Sequence, residues 1–183
     1  MFIGGKDNGK VFEYTLSTGF DVSTASFVDG FSISSQETHI SDLAFSTDGT
    51  KMFIVGTNSQ SVFEYNLSTG FDVSTASYVD GYSVSSQETL PTGLEFSADG
   101  KRMFITGNNG DDVTEYKLTT AFDVSTASHV GQFDVSSQET QASSIAFNAE
   151  GTKMFVLGYN GEDVNEYNLT SAFRVANDTG SVG

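Results

Sequence analysis

The chain has 183 residues with 24 acidic and 8 basic side chains and a formal net charge of −16, which argues against nucleic-acid binding because phosphates are recognised by basic surfaces. It contains no cysteine, so it has no disulfide framework, thiol nucleophile or thiolate metal site. No apolar run approaches the length of a membrane span and no signal-peptide pattern opens the chain, so membrane insertion is not expected.

A repeat of 51 residues organises the whole sequence. Residues 1–51 and 52–102 are identical at 33 of 51 positions, and such similarity indicates units of one shape. The register is marked by methionines, at Met1, Met52, Met103 and Met154. We predict a single array without linkers, made of a partial blade 1–39, blades 40–90 and 91–141, and a partial blade 142–183.

Within unit 91–141 the pattern predicts four short strands in chain order. Residues 93–96 alternate polar and apolar side chains, and 103–106 form a β-favouring run. Residues 113–118 alternate again, and the fourth strand is expected at about 129–135. No segment carries ten residues with helical periodicity, so the units contain strands and turns only.

Two glycine-containing turns separate these strands. Asp99-Gly100 follows the first strand, and Asn109-Gly110 between the second and third predicts a type I′ hairpin. The fourth strand is followed by Ser136-Ser137-Gln138-Glu139-Thr140, which we interpret as a plain loop into the next unit.

Repeated four-stranded units of this length are typical of β-propeller blades. We therefore predict an all-β propeller built from near-identical 51-residue four-stranded blades, about 3.6 of them in this chain. A single blade cannot bury both of its faces, so the blades are expected to stack radially. The abundance of Phe and Tyr, 16 and 7 residues, suits the filling of wedges between blades.

The segments 45–56 and 96–105 share the pattern F-S-x-D-G-x-K/R-hydrophobic. This pattern resembles the hairpin of YVTN-type and related β-propeller repeats, with Glu150 replacing the Asp in the last unit. The resemblance implies the fold and says little about function. It also implies rings with more blades than this chain supplies.

Closure of the ring is the main structural question raised by the sequence. The first unit starts at its second strand, and after Phe173 the repeat pattern decays, so a fourth strand there is in doubt. The chain could close alone as a four-bladed ring, pair with a second chain, or belong to a longer array. We favour a homo-oligomer or a longer array over the isolated ring.

Differences between the first two copies are concentrated in two connections. Eleven of 18 differences fall in residues 4–10 and 39–44 and their counterparts, which are the connections between the second and third strands and between consecutive blades. Variable loops on a rigid scaffold indicate a recognition surface, although drift in tolerant turns gives the same pattern. The predicted ligand-binding residues are Asn8, Lys10, His39, Asn58, Gln60, Asn109, Asp111, Asp112, Gln141, Tyr159, Asn160, Glu162 and Asp163.

Neither a catalytic nor a metal site is predicted. The acidic turns 108–112 and 159–163 could offer oxygens to calcium, but they lack the spacing of a calcium loop, so solvated turns are favoured. His39 and His129 are single and non-equivalent, which gives no support for zinc or for a Ser-His-Asp triad. Glutamates recur once in each unit beside a tyrosine, at Glu13, Glu64, Glu115 and Glu166, and we interpret them as structural residues that pair with Lys51, Arg102 and Lys153 on the neighbouring strands.

These observations favour a non-enzymatic binding module that presents its variable loops to a glycan or a protein, with no cofactor. One alternative is a structural protein that joins blade edges into a larger ring or a filament. Another alternative is a lactonase-like propeller enzyme, which is suggested by family analogy alone. Such an enzyme needs unlike residues that converge at the axis, and a repeated surface is expected to lack such residues. The acidic, Ser/Thr-rich composition suits a secreted or cell-surface protein.

Overall fold

Each predicted unit folds into an antiparallel sheet whose strands follow chain order. The computed structural model describes residues 1–176 and the backbone of 181–182, so part of the predicted last unit, 177–180 and 183, lies outside the described residues. The bounds are β1 Phe2–Gly5, β2 Lys10–Leu16 and β3 Ala25–Ser32 in the first sheet; β4 Ile40–Phe45, β5 Lys51–Gly56, β6 Ser61–Leu67 and β7 Ala76–Ser83 in the second; β8 Pro91–Phe96, β9 Arg102–Gly107, β10 Asp112–Leu118 and β11 Ala127–Asp134 in the third; and β12 Ala142–Phe147, β13 Lys153–Gly158, β14 Val164–Asn168 and β15 Ser181–Val182 in the fourth.

The sheets are arranged as propeller blades, which confirms the predicted fold class. The first strands of consecutive blades, β4 with β8 and β8 with β12, contact one another, so these strands lie nearest the axis. A 3-10 turn joins the third strand to the fourth in the first three blades, as at Val73–Thr75. The Asp72 carboxylate caps this turn by accepting a hydrogen bond from Ser74 N–H, as expected for Asp at an N-cap.

Each blade has two apolar faces, one towards each neighbour. The face that packs on the preceding blade is here called the N-side face, and the face that packs on the following blade the C-side face. In the second blade Ile54 is buried on the N-side face, in one cluster with Val11 of the first blade. Phe53 and Val62 are buried on the C-side face, in one cluster with Ile105 of the third blade. Burial of both faces makes the stack, rather than the single blade, the unit that excludes water.

The predicted ion pairs between neighbouring strands are confirmed. Lys51 contacts Glu64, Arg102 contacts Glu115 and Lys153 contacts Glu166. Glu64 and Glu115 are buried, and each uses its second oxygen between blades, because Glu64 Oε2 accepts Val124 N–H at 3.0 Å and Glu115 Oε2 accepts Val175 N–H at 2.9 Å.

Two local predictions differ from the structure. The Asn109-Gly110 turn is not type I′, because the only residue of the loop with positive φ is Asp111, at 51°. The loop is held instead from inside, where the buried Glu88 carboxylate accepts Gly110 N–H at 2.9 Å. The doubtful fourth strand of the last blade is present as β15, which pairs with β14.

No helical segment among the described residues has the length and apolar character needed to cross a membrane.

Candidate functional site

An open pocket of about 560 Å³ lies at the axis, where the first strands of three blades begin. Its walls come from all four blades, because each blade contributes the start of its first strand or the end of its second. We call it the axial pocket. It is lined by Lys6, His39, Ile40, Ser41, Thr57, Leu90, Thr92, Asn108 and Ser143.

The axial pocket is the place where the repeat breaks down. Lys6, Thr57 and Asn108 occupy equivalent positions 51 residues apart, and so do His39 and Leu90. A repeated chain therefore presents unlike groups at one point on its axis. This corrects the expectation that a repeated surface does not bring unlike residues together at the axis.

The imidazole of His39 is held in a defined orientation. The Asn58 side-chain amide lies 2.6 Å from His39 Nδ1 and donates to it, which assigns the ring proton to Nε2. His39 Nε2 then faces Asp7 Oδ1 of the preceding blade at 3.6 Å. The half-exposed ring lines the pocket, and its N–H donor lies on the side of Asp7.

A buried carboxylate beneath His39 fixes the backbone of the pocket. Glu37 accepts hydrogen bonds from His39 N–H at 2.7 Å and from Ser59 Oγ at 2.6 Å. Burial raises the pKa of Glu37, but hydrogen bonds from Ser59, His39 and Thr38 outweigh it and bring the pKa below its ordinary value. The loop prediction missed this role, although the signal was present: Ser-Ser-Gln-Glu-Thr recurs unchanged at 34–38, 85–89 and 136–140, directly beside variable residues.

Two half-buried carboxylates lie further along the innermost strands. Asp42 lines a cavity of about 280 Å³ that shares Ile40 and Ser41 with the axial pocket. Its Oδ2 accepts Leu94 N–H from the next blade at 2.9 Å. Burial raises the pKa of Asp42, and burial followed by the charge of Asp42 raises the pKa of Glu95.

Sequence reasoning did not select Asp42 or Glu95. Their equivalents are Gly93 and Ser144 for Asp42, and Ala44 and Ala146 for Glu95. Positions 42 and 44 fall in the variable window 39–44, and this window belongs mostly to strand β4, which begins at Ile40, rather than to a loop.

Three of the predicted asparagines tie the loop between the second and third strands of a blade to the connection that leads into that blade. Asn58 donates to Thr38 Oγ1 at 2.7 Å, and Asn109 and Asn160 donate to the equivalent threonines at 2.7 and 2.9 Å. These asparagines lie outside the lining of the axial pocket. Of the predicted ligand-binding residues, His39 lines it.

Three predicted residues are turn formers. Gln60, Asp111 and Glu162 occupy the position of Gly9 and share its left-handed backbone, with φ between 51° and 54°. Their placement follows from the conformation of the loop, in which the backbone needs a positive φ.

The remaining predicted residues lie around these turns. Asn8 accepts Lys10 N–H at 3.1 Å, and Asp163 accepts the Asn165 amide at 2.8 Å. Gln141 accepts Tyr159 N–H through its carbonyl at 3.0 Å, and the Tyr159 ring is exposed.

Asp112 occupies a different place from the axial pocket. It is buried beside Gln132 and Asp134 in an acidic cavity of about 250 Å³. Burial raises the pKa of Asp112 to about 6. No group of three or more His, Asp or Glu side chains in the described part of the chain could hold a metal ion.

The comparisons with known proteins place this chain among propeller-like structures. No protein-family model and no curated protein matches the sequence. A protein of Bacteroides uniformis provisionally named a 6-phosphogluconolactonase is 12% identical with a TM-score of 0.69, over 99% of this chain and 51% of its own. The periplasmic gluconolactonase of Pseudomonas aeruginosa is 18% identical with a TM-score of 0.64, over 99% and 50%. The Cps50 (Swd1) β-propeller domain of Myceliophteria thermophila is 13% identical with a TM-score of 0.60, over 92% and 49%.

These similarities show the fold, and the chain spans about half the length of each structure. They also correct the sequence-based prediction of a non-enzymatic binding module, because the similar structures include proteins named as lactonases. The lactonase-like alternative agrees better with them.

Proposed function

We propose that this chain supplies the axial site of a hydrolase that opens sugar lactones. The observation that carries the proposal is the convergence of unlike polar groups, Lys6, His39 and Asn108, at the axial pocket of an otherwise repeated chain. The named gluconolactonases among similar structures support the same reaction class by analogy of fold.

Lactone hydrolysis needs a base for the attacking water and donors for the carbonyl oxygen, which becomes negative as water adds. Asp42 suits the base, because burial raises its pKa and thereby makes it a better proton acceptor. The Lys6 ammonium and the His39 Nε2–H suit the donors. Water adds to the carbonyl carbon, Asp42 takes its proton, and that proton passes to the alkoxide as the ring ester bond breaks.

The charge of the chain favours an uncharged substrate. Lys6 is the one lysine or arginine among the described residues that line the pocket, and the chain carries a net charge of −16, so a phosphorylated lactone would meet repulsion. The hydroxyls of Ser41, Thr92 and Ser143 line the same pocket and can bind the hydroxyls of an unphosphorylated sugar lactone.

The test measures acid release from glucono-δ-lactone in weak buffer, above the spontaneous rate. Asp42→Asn is expected to lower kcat by about 10²–10⁴, and the wild-type rate should fall as acid protonates Asp42, whose pKa is raised by burial above its ordinary value. Lactone opening no faster than the spontaneous rate, or full activity of Asp42→Asn, would overturn the proposal.

The repeat supplies matched substitutions for the two donors. Lys6→Thr and His39→Leu install the residues that the next unit carries, Thr57 and Leu90, and each is expected to cost about 10²-fold in kcat. The control Lys101→Thr makes the same chemical change at a residue outside the pocket, and it should leave the rate unchanged.

We also propose that the repeats belong with the YVTN-type propellers. The F-S-x-D-G-x-K/R hairpins at 45–56 and 96–105 support this assignment.

A further inference from the structure

The two end blades expose faces that are buried everywhere else in the stack. On the N-side face of the first blade Ile3 is 45% exposed, whereas its equivalents Ile54 and Ile105 are 0% exposed. Val22 is 69% exposed, and its equivalent Val73 is 0% exposed. The first blade therefore presents an apolar face shaped to receive a preceding blade.

The opposite end shows the complementary face. On the C-side face of the fourth blade Leu157 is 44% exposed and Val164 is 60% exposed. The equivalents Val55 and Val62 in the second blade are both 0% exposed, because the third blade covers them. The fourth blade is thus shaped to receive a following blade.

The polar contact between blades is also left half-made at each end. Glu13 and Glu64 each accept a backbone N–H from the 3-10 turn of the following blade, and Glu115 accepts the equivalent N–H of Val175, at 2.9 to 3.1 Å. By the same register Glu166 lacks its N–H donor, and Val22 N–H lacks its carboxylate, within the described residues. One end carries the acceptor and the other carries the donor of the same bond.

We propose that a second copy of this chain closes the ring, with the C-side face of each copy seated on the N-side face of the other. The chain spans 49% of a β-propeller domain, so two copies related by a two-fold axis complete one circuit with eight blades, within the range known for propellers. At both junctions Glu166 of one copy accepts Val22 N–H of its partner.

Each junction is expected to be weaker than an interface inside the chain. The internal interfaces include a ring contact with the innermost strand, such as Phe53 with Phe96 at 4.4 Å, and the first blade has three strands and lacks that partner. Each copy also carries a charge of −16. Association should therefore strengthen as salt screens the repulsion.

Light scattering across concentration and salt tests the proposal directly. Wild-type protein should reach twice 19.5 kDa and stop there. Ile3→Glu and Leu157→Glu should each remain at the monomer mass, since each change places a charge on one side of both junctions. Val79→Glu is the matched control. Val79 is 44% exposed, and its equivalents Val28 and Val130 in the neighbouring blades are also exposed, so this position lies outside the interblade faces. The Val79→Glu variant should therefore dimerise.

Mixing the two variants separates this geometry from unspecific association. A pair made of Ile3→Glu and Leu157→Glu has one junction with both changes and one junction with none, so the mixture should regain part of the dimer. Circular dichroism establishes that each variant is folded. A wild-type monomer at all conditions, mass that grows without limit, or a mixture that stays monomeric would each overturn the proposal, and none of these readouts depends on lactonase activity.

Discussion

Glu115 and Glu166 occupy the same repeat position in different surroundings, which allows one substitution to be tested twice. The Glu115 side chain is 1% exposed and pairs with Arg102, whose side chain is 17% exposed. Burial, followed by the charge of Arg174, lowers the pKa of Arg102. The Glu166 side chain is 34% exposed and pairs with Lys153.

Glu115→Gln should destabilise the fold far more than Glu166→Gln. Loss of one partner of a buried ion pair leaves the other charge uncompensated and costs about 3–5 kcal/mol, whereas an exposed pair contributes at most about 1 kcal/mol. In a chain of this size 1 kcal/mol corresponds to about 2–4 °C in Tm. We therefore expect Tm to fall by about 6–20 °C for Glu115→Gln and by less than about 4 °C for Glu166→Gln.

The measurement is thermal and urea unfolding followed by circular dichroism, with both variants made in the Ile3→Glu background so that no second copy covers Glu166. Equal losses for the two variants would refute the reasoning, because the ion pair within the blade would then account for the effect and burial between blades would not.

Two further changes test burial elsewhere. Burial raises the pKa of Asp112 to about 6, so the contribution of Asp112 to stability is lost as pH rises from about 4 to about 6. Asp112→Asn should therefore raise Tm relative to wild type more at pH 7 than at pH 4. An equal difference in Tm at both pH values would contradict this. In the Ile3→Glu background, where no second copy covers Phe20, Phe20→Ala should cost less than about 0.5 kcal/mol because Phe20 is fully exposed. Phe122→Ala should cost about 2–3 kcal/mol in the same background, because Phe122 packs on Phe53 and Phe96 with centroids at 6.1 and 5.7 Å; similar urea midpoints for both would contradict the assigned packing.

The fold was predictable because its determinants are local and repeated. Alternation over 113–118 and the glycine-containing turns specify strands of the observed length, and the 13-residue spacing of Lys51 and Glu64 places them diagonally across two paired strands, two register positions apart. The second role of Glu64 was not predictable in this way. Its other oxygen binds Val124 N–H 60 residues later, and that contact depends on how one blade sits on the next.

The candidate site was predicted only in part for the same reason. Variation at 4–10 and 39–44 identified the connections that carry Lys6 and His39, but it did not distinguish side chains that face the axis from those that form turns. Gln60 has a polar side chain and a left-handed backbone, with φ 52°, and only the backbone explains its position. Asp42 was missed because its neighbours on the axis belong to another blade.

The repeat itself explains why function would collect at the axis. A residue on an interblade face must fit the corresponding residue of every neighbouring copy, so a change there has to be compatible with both adjacent blades. Ile54 and Ile105 illustrate this constraint, since both are fully buried between blades. A residue such as Lys6 or Thr57 faces the open axial pocket instead, where no copy has to match it. Duplicated units can therefore diverge at this point without loss of packing, and unlike groups can accumulate around one shared cavity while the faces that hold the ring together stay the same.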